Sequence, residues 1–240
     1  MANKVLSNRQ KYLKQQYITP ADVEIPSVRS ISKTHKGSDL MGGQEYGNQL
    51  NSGFELDGFM LLEVAGVSFP ESALEATLVD YKLSTVNEND MGYFTEMLYI
   101  DASDNYLNFH PFGVFPKLRD LRLACNLIIN IPQVLVGFEN LTSLDLSYNR
   151  LTLSSIQALE KLPNLKDLDL SGNNLREVPD DWQQYKALEK LLLDYNLFED
   201  NNIFSYISSA PNLRYLGVRE NHLSNFPDNA LSFDGFRVLE

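Results

Sequence analysis

Cysteine is almost absent from this chain of 240 residues. Cys125 stands alone, so no disulfide can form within the chain, and a lone thiol has no second soft ligand for a structural metal. Histidine is nearly as scarce: His35, His110 and His222 lie far apart, and none pairs with Cys125 at metal-ligand spacing. No Ser–His–Asp or Cys–His set converges, so a nucleophile would lack the base that activates it. No stretch of 18 apolar residues occurs, which argues against a membrane-spanning helix. Met1 to Gln16 hold no apolar signal segment. Cations are outnumbered, 20 Lys and Arg against 32 Asp and Glu, for a net charge of −12. Such a body repels phosphate, which disfavours nucleic acid as a partner. Together these absences predict a soluble, cytoplasmic, non-enzymatic protein with no cofactor, metal or small-molecule substrate.

What the chain does have is one pattern written six times. An apolar residue is followed by two variable residues, an apolar, a variable, an apolar, two variable, Asn, a variable and an apolar. The copies begin at Met97, Leu118, Leu141, Leu165, Leu188 and Leu213, with starts 21, 23, 24, 23 and 25 residues apart. In the third copy Leu144 and Leu146 alternate with Ser143, Asp145 and Ser147. That period of two makes a short strand with leucines inside and polar residues outside. The chain must then turn, and Asn105, Asn126, Asn149, Asn173, Asn196 and Asn221 fall at those turns. Their amides can pair backbone groups that the turn leaves open, so the stacked copies should carry an asparagine ladder. A fixed period in the twenties with this interior is the signature of a leucine-rich repeat. The fold class expected is therefore an α/β leucine-rich repeat solenoid, with a curved parallel sheet on the concave side. Secreted repeats of this kind usually cap their ends with cysteine pairs, which this chain lacks.

The return segments differ. Ser154–Leu162 and Phe204–Ala210 show apolar residues three and four apart and read as helices. Ile129–Val136 and Leu175–Tyr185 carry Pro132 and Pro179 and read as extended or turning. The convex side should mix short helices with extended turns.

Three regions are expected. Residues 1–52 are rich in Ser, Asn, Gln, Gly and Lys, with too few clustered apolar residues for a core, and read as an extended basic arm. Residues 1–50 hold seven Lys or Arg and four acids, for +3, whereas residues 51–110 hold eleven acids and Lys82, for −10. Such asymmetry suggests an arm that anchors elsewhere, through Lys4, Arg9, Lys11, Tyr12 and Lys14 on one short amphipathic stretch. Gly42-Gly43 reads as a hinge. Residues 53–96 read as an N-terminal β cap with strands at Phe59–Val67 and Ala76–Leu83, a short helix at Asn89–Phe94, and room for one degenerate repeat. Residues 97–240 hold the six repeats and the start of a seventh at Phe236, which suggests that the natural protein continues.

The variable strand positions form the expected partner-binding face. Tyr99, Asp101, Arg122, Asp145, Asp169, Lys190, Tyr215 and Arg219 are its candidates. The middle is acidic, and the ends carry Tyr and Arg, residue types enriched at binding hot spots. Asp101, Asp145 and Asp169 share one repeat position, so they should form a carboxylate row suited to basic protein side chains.

The cap stretch Leu56-Asp57-Gly58-Phe59-Met60-Leu61-Leu62, the first copy Tyr99-Ile100-Asp101-Ala102-Ser103-Asp104-Asn105 and Leu144–Asn149 of the third resemble the X-ray radiation resistance-associated family. That resemblance brings no catalytic residues. The order of parts also resembles components of the ciliary axoneme, where basic arms lie along acidic tubulin and repeats act as docking brackets. It implies a protein-binding scaffold of a cytoskeletal assembly, with tubulin or axonemal subunits as partners. A regulatory adaptor steering a phosphatase or ubiquitin ligase is the alternative.

Overall fold

The computed structural model describes residues 53–224 and the backbone of Arg237–Leu239. The arm candidates Lys4, Arg9, Lys11, Tyr12 and Lys14, and the Gly42-Gly43 hinge, lie outside the described residues. In chain order the elements are β1 (Phe54–Leu56), α1 (Gly58–Ala65), β2 (Glu75–Thr77), β3 (Leu83–Val86), α2 (Glu88–Met91) and β4 (Tyr99–Asp101). Then come β5 (Asp120–Arg122), β6 (Ser143–Asp145), α3 (Leu153–Leu159), β7 (Asp167–Asp169), β8 (Lys190–Leu192), α4 (Asn202–Ile207), β9 (Tyr215–Gly217) and β10 (Arg237–Leu239).

Eight of the described strands form one parallel sheet in the order β10-β9-β8-β7-β6-β5-β4-β2. In β2 and in β4 to β9 the middle residue points into the core. Ala76, Ile100, Leu121, Leu144, Leu168, Leu191 and Leu216 stand opposite one another in register and are all buried. No single repeat can bury such an edge, and stacking does it for all of them.

The asparagines lock each copy to the one before. Asn126 Oδ1 accepts from Leu107 N at 2.8 Å, and its Nδ2 donates to Ala102 O at 3.0 Å. Asn196 Oδ1 accepts from Asn173 N and Leu175 N, both at 3.0 Å, and its Nδ2 reaches Leu170 O at 3.1 Å. Asn105, Asn149, Asn173 and Asn221 make the same kind of bonds. The residue before each Asn is left-handed: Asp104, Cys125, Tyr148, Gly172, Tyr195 and Glu220 have φ from 54° to 67°. Only one of the six is glycine, so the stack itself must hold the other five in a conformation that side chains disfavour.

The cap departs from the expectation of strands. Phe59–Val67 is not a strand: most of it lies in helix α1. Asp57 Oδ1 accepts from Met60 N at 2.8 Å at one end, and Gly66 closes the other with φ 68°. An Asp cap and a left-handed glycine enclosing eight residues are a helix frame, and they outweigh the apolar run between them, which suits strand or helix equally. The run Ala76–Leu83 is split. Its start belongs to β2, its end to β3, and Asp80 and Lys82 turn between them with φ 64° and 57°. β2 pairs with β4, so Ala73, Ala76, Leu78 and Leu83 occupy the apolar positions of a further copy. There Tyr81 falls where the other copies have Asn, and the ladder starts at Asn105 instead. The cap is thus mixed α and β.

On the convex side α3 and α4 fall within the two helical readings, give or take a residue or two, and the Pro132 and Pro179 stretches are not helical. Aromatic rings fill the layer where helices are missing. Phe109 stacks on Phe138 at 4.4 Å between centroids, and Trp182 lies against Tyr185 at 4.6 Å. Trp182 Nε1 donates to Pro179 O at 2.9 Å, and the Tyr185 hydroxyl donates to Ile156 O.

Candidate binding face

The strands β4 to β9 have three residues each, so burying the middle one turns the other two to the concave side. Parallel pairing in register then lines these residues into two columns. One runs Tyr99, Asp120, Ser143, Asp167, Lys190 and Tyr215; the other runs Asp101, Arg122, Asp145, Asp169, Leu192 and Gly217. Neighbours in a column are one strand spacing apart, about 4.8 Å at the backbone.

The eight candidate residues sort into separate groups on this face. Tyr99, Asp101 and Arg122 come together at its N-terminal end. The Arg122 guanidinium lies 5.2 Å from the centre of the Tyr99 ring, and its Nε is 3.5 Å from Asp120 Oδ1. Burial raises the Tyr99 phenol, helped by Asp101. Burial also raises the Asp120 carboxyl against the opposing pull of Arg122. For Arg122, burial pulls down, but Tyr99, Asp120, Asp101 and Asp145 outweigh it and hold the guanidinium charged. The result is a cation over an aromatic ring, with carboxylates around it.

Asp145 and Asp169 form the middle group, adjacent in one column. Their carboxylates also serve the repeat. Asp145 Oδ1 accepts from Ser147 N at 2.8 Å, Asp169 Oδ1 from Ser171 N at 2.9 Å, and Asp101 Oδ1 from Ser103 N at 3.1 Å. Asp recurs there partly because it pins the turn two residues on, as Asp side chains commonly do. Lys190 and Tyr215 form the third group, the ammonium 5.6 Å from the ring centre. Arg219 stands apart from these columns, at the third variable position. Its backbone N–H donates to Asp194 Oδ1 at 2.7 Å.

Asp120 and Asp194 were not among the candidates. Both sit at variable positions: Asp120 meets Arg122 two residues along the same strand, and Asp194 meets the Arg219 backbone of the next copy. Sequence spacing alone does not rank such neighbours. Among the described residues no group of three or more His, Cys, Asp or Glu is placed to hold a metal, and no helix is long and apolar enough to cross a membrane.

Comparison with known proteins agrees with this geometry. The leucine rich repeat pattern matches residues 139–198. X-ray radiation resistance-associated protein 1 of Mus musculus is 31% identical over 218 residues, covering 83% of this chain and 26% of that protein. The chain thus spans about a quarter of that relative's length, and the match is too long to be confined to the six repeats. Fibromodulin of Oryctolagus cuniculus is 36% identical over 134 residues, 53% of this chain and 86% of its own. Among solved structures, an internalin C2 from Listeria monocytogenes superimposes with a TM-score of 0.57 at 19% identity, covering 76% of this chain and 91% of that one. At that identity the likeness speaks for the fold. Sequence pattern, relatives and backbone agree: the chain belongs to the leucine-rich repeat proteins, a family of protein-binding scaffolds.

Proposed function

We propose that the chain is a non-enzymatic bracket in a large cytoskeletal assembly such as the ciliary axoneme, holding a segment of a neighbouring protein on its concave sheet. The observation that carries this reading is the pair of in-register columns from β4 to β9. Their middle is acidic, with Asp145, Asp167 and Asp169, and each end carries a cation on a ring, Arg122 on Tyr99 and Lys190 on Tyr215. Basic side chains of a partner suit the middle, and the aromatic ends supply anchors. The charge contrast between residues 1–50 and 51–110 supports an arm that binds an acidic surface, for which tubulin or an axonemal subunit is the partner class. This reading keeps the protein in the cytoplasm, on the cytoskeleton.

Crosslinking mass spectrometry on the native assembly tests it. Crosslinks are expected from Lys190 to a neighbouring protein and from Lys4, Lys11 or Lys14 to a filament subunit. Deleting residues 1–52 should abolish recruitment to the assembly while leaving the melting of the repeats unchanged. If the deletion variant is still recruited while Asp145→Lys loses its partner, the regulatory-adaptor reading takes its place.

A further inference from the structure

The convex side carries a second site. The fourth repeat returns through Arg176–Tyr185 without a helix, whereas the third and fifth return through α3 and α4. An extended strip between two helices is lower than its walls, and a trough of about 520 Å³ is left there. Val178 and Pro179 form its floor and are buried. Leu153 on α3 and Tyr206 on α4 line it from either side and are half-buried. Asp180 and Asp200 stand at the trough and are exposed.

The charges of the trough are unequal. Glu177, Asp180 and Asp200 line it beside one cation, Arg176, whose Nη1 lies 3.7 Å from Glu199 outside the trough. The exposed parts of Leu153 and Tyr206 leave a small apolar surface inside a largely polar trough, enough for one apolar side chain. Asp200 accepts from Asn202 N at 2.9 Å and from Asn202 Nδ2 at 3.1 Å, neutral donors that leave its charge in place, so with Asp180 it suits a cation next to it. The geometry points to a docking site for a partner-protein segment in which an aliphatic or aromatic anchor adjoins a lysine or arginine. The anchor would lie over Val178 and Pro179, with the cation against Asp180 and Asp200. The site is independent of the concave face, so the chain can hold two segments at once.

Panning a phage library of random twelve-residue peptides against the full chain tests it. Selected peptides are expected to carry an apolar anchor beside Lys or Arg and to lose at least tenfold in affinity on Asp180→Lys and on Tyr206→Ala. Their affinity should also fall as salt is raised, because the charges are exposed. Asp180 is exposed, so its substitution leaves the fold intact, and a melt of each variant checks this. Asp145→Lys on the concave face should leave these peptides bound, which separates this site from the bracket reading. Recovery of no peptide, of neutral or acidic peptides, or of peptides indifferent to Asp180→Lys and Tyr206→Ala would overturn the proposal.

Discussion

Asn149 holds the backbone of the preceding repeat at Asn126: its Oδ1 accepts from Asn126 N at 3.0 Å and also from Ile128 N at 2.9 Å. Its Nδ2 donates to Leu123 O at 2.9 Å and Leu146 O at 3.0 Å. One fully buried amide therefore satisfies four backbone groups from two copies. Asn149→Ala would leave those groups buried and unpaired, at an expected cost of about 3 kcal/mol. Urea unfolding followed by circular dichroism measures this. A loss under about 1 kcal/mol would mean that water or a shifted backbone replaces the amide.

Leu168 is the central buried residue of β7, packed between Leu144 and Leu191 in register. Leu168→Ala should destabilise the fold by roughly 2–5 kcal/mol, because a middle repeat cannot collapse onto the hole. A melt shifted by less than a degree would contradict the claim.

Two glycines with positive φ make a contrasting pair. Gly66 has φ 68° and nothing within 4 Å of a built Cβ, so Gly66→Ala costs only the left-handed conformation, about 1 kcal/mol. Gly137 has φ 86°, and a Cβ there would lie 1.7 Å from Gly113 O. Gly137→Ala must push two backbones apart and should cost several times more than Gly66→Ala. Paired thermal melts decide it. Equal shifts would show that the approach of Gly113 and Gly137 is not needed.

Tyr185 gives the fold a dependence on alkaline pH. Its phenol is buried, which raises its pKa well above the ordinary 10.0. A raised folded pKa means stability that is fully present below pH 10.0 and lost as pH climbs beyond it, since the unfolded chain ionises first. Tyr185→Phe should flatten that alkaline fall relative to the unaltered chain. At neutral pH it should cost about 1 kcal/mol for the lost bond to Ile156 O. Melting both proteins from pH 7 to 11 reads the difference. Identical slopes would mean that the phenol is already exposed in the fold.

The repeat register, the buried leucines, the asparagine turns and the two helical returns were all legible in the sequence, because each depends on spacings within a single copy. Period two sets a strand, and period three to four sets a helix. Most of Phe59–Val67 is helical because Asp57 and Gly66 cap it, a local signal that the apolar run between them masked. Tertiary structure decided what depends on two copies. The degenerate repeat expected before Met97 lies at Ala73–Leu83, where pairing with β4 supplies the neighbour that its missing asparagine does not. The tertiary fold set Arg122 over the Tyr99 ring and left a trough between α3 and α4, because side chains from separate repeats meet only after stacking. A repeat sequence specifies its own fold copy by copy, whereas its surfaces exist only between copies.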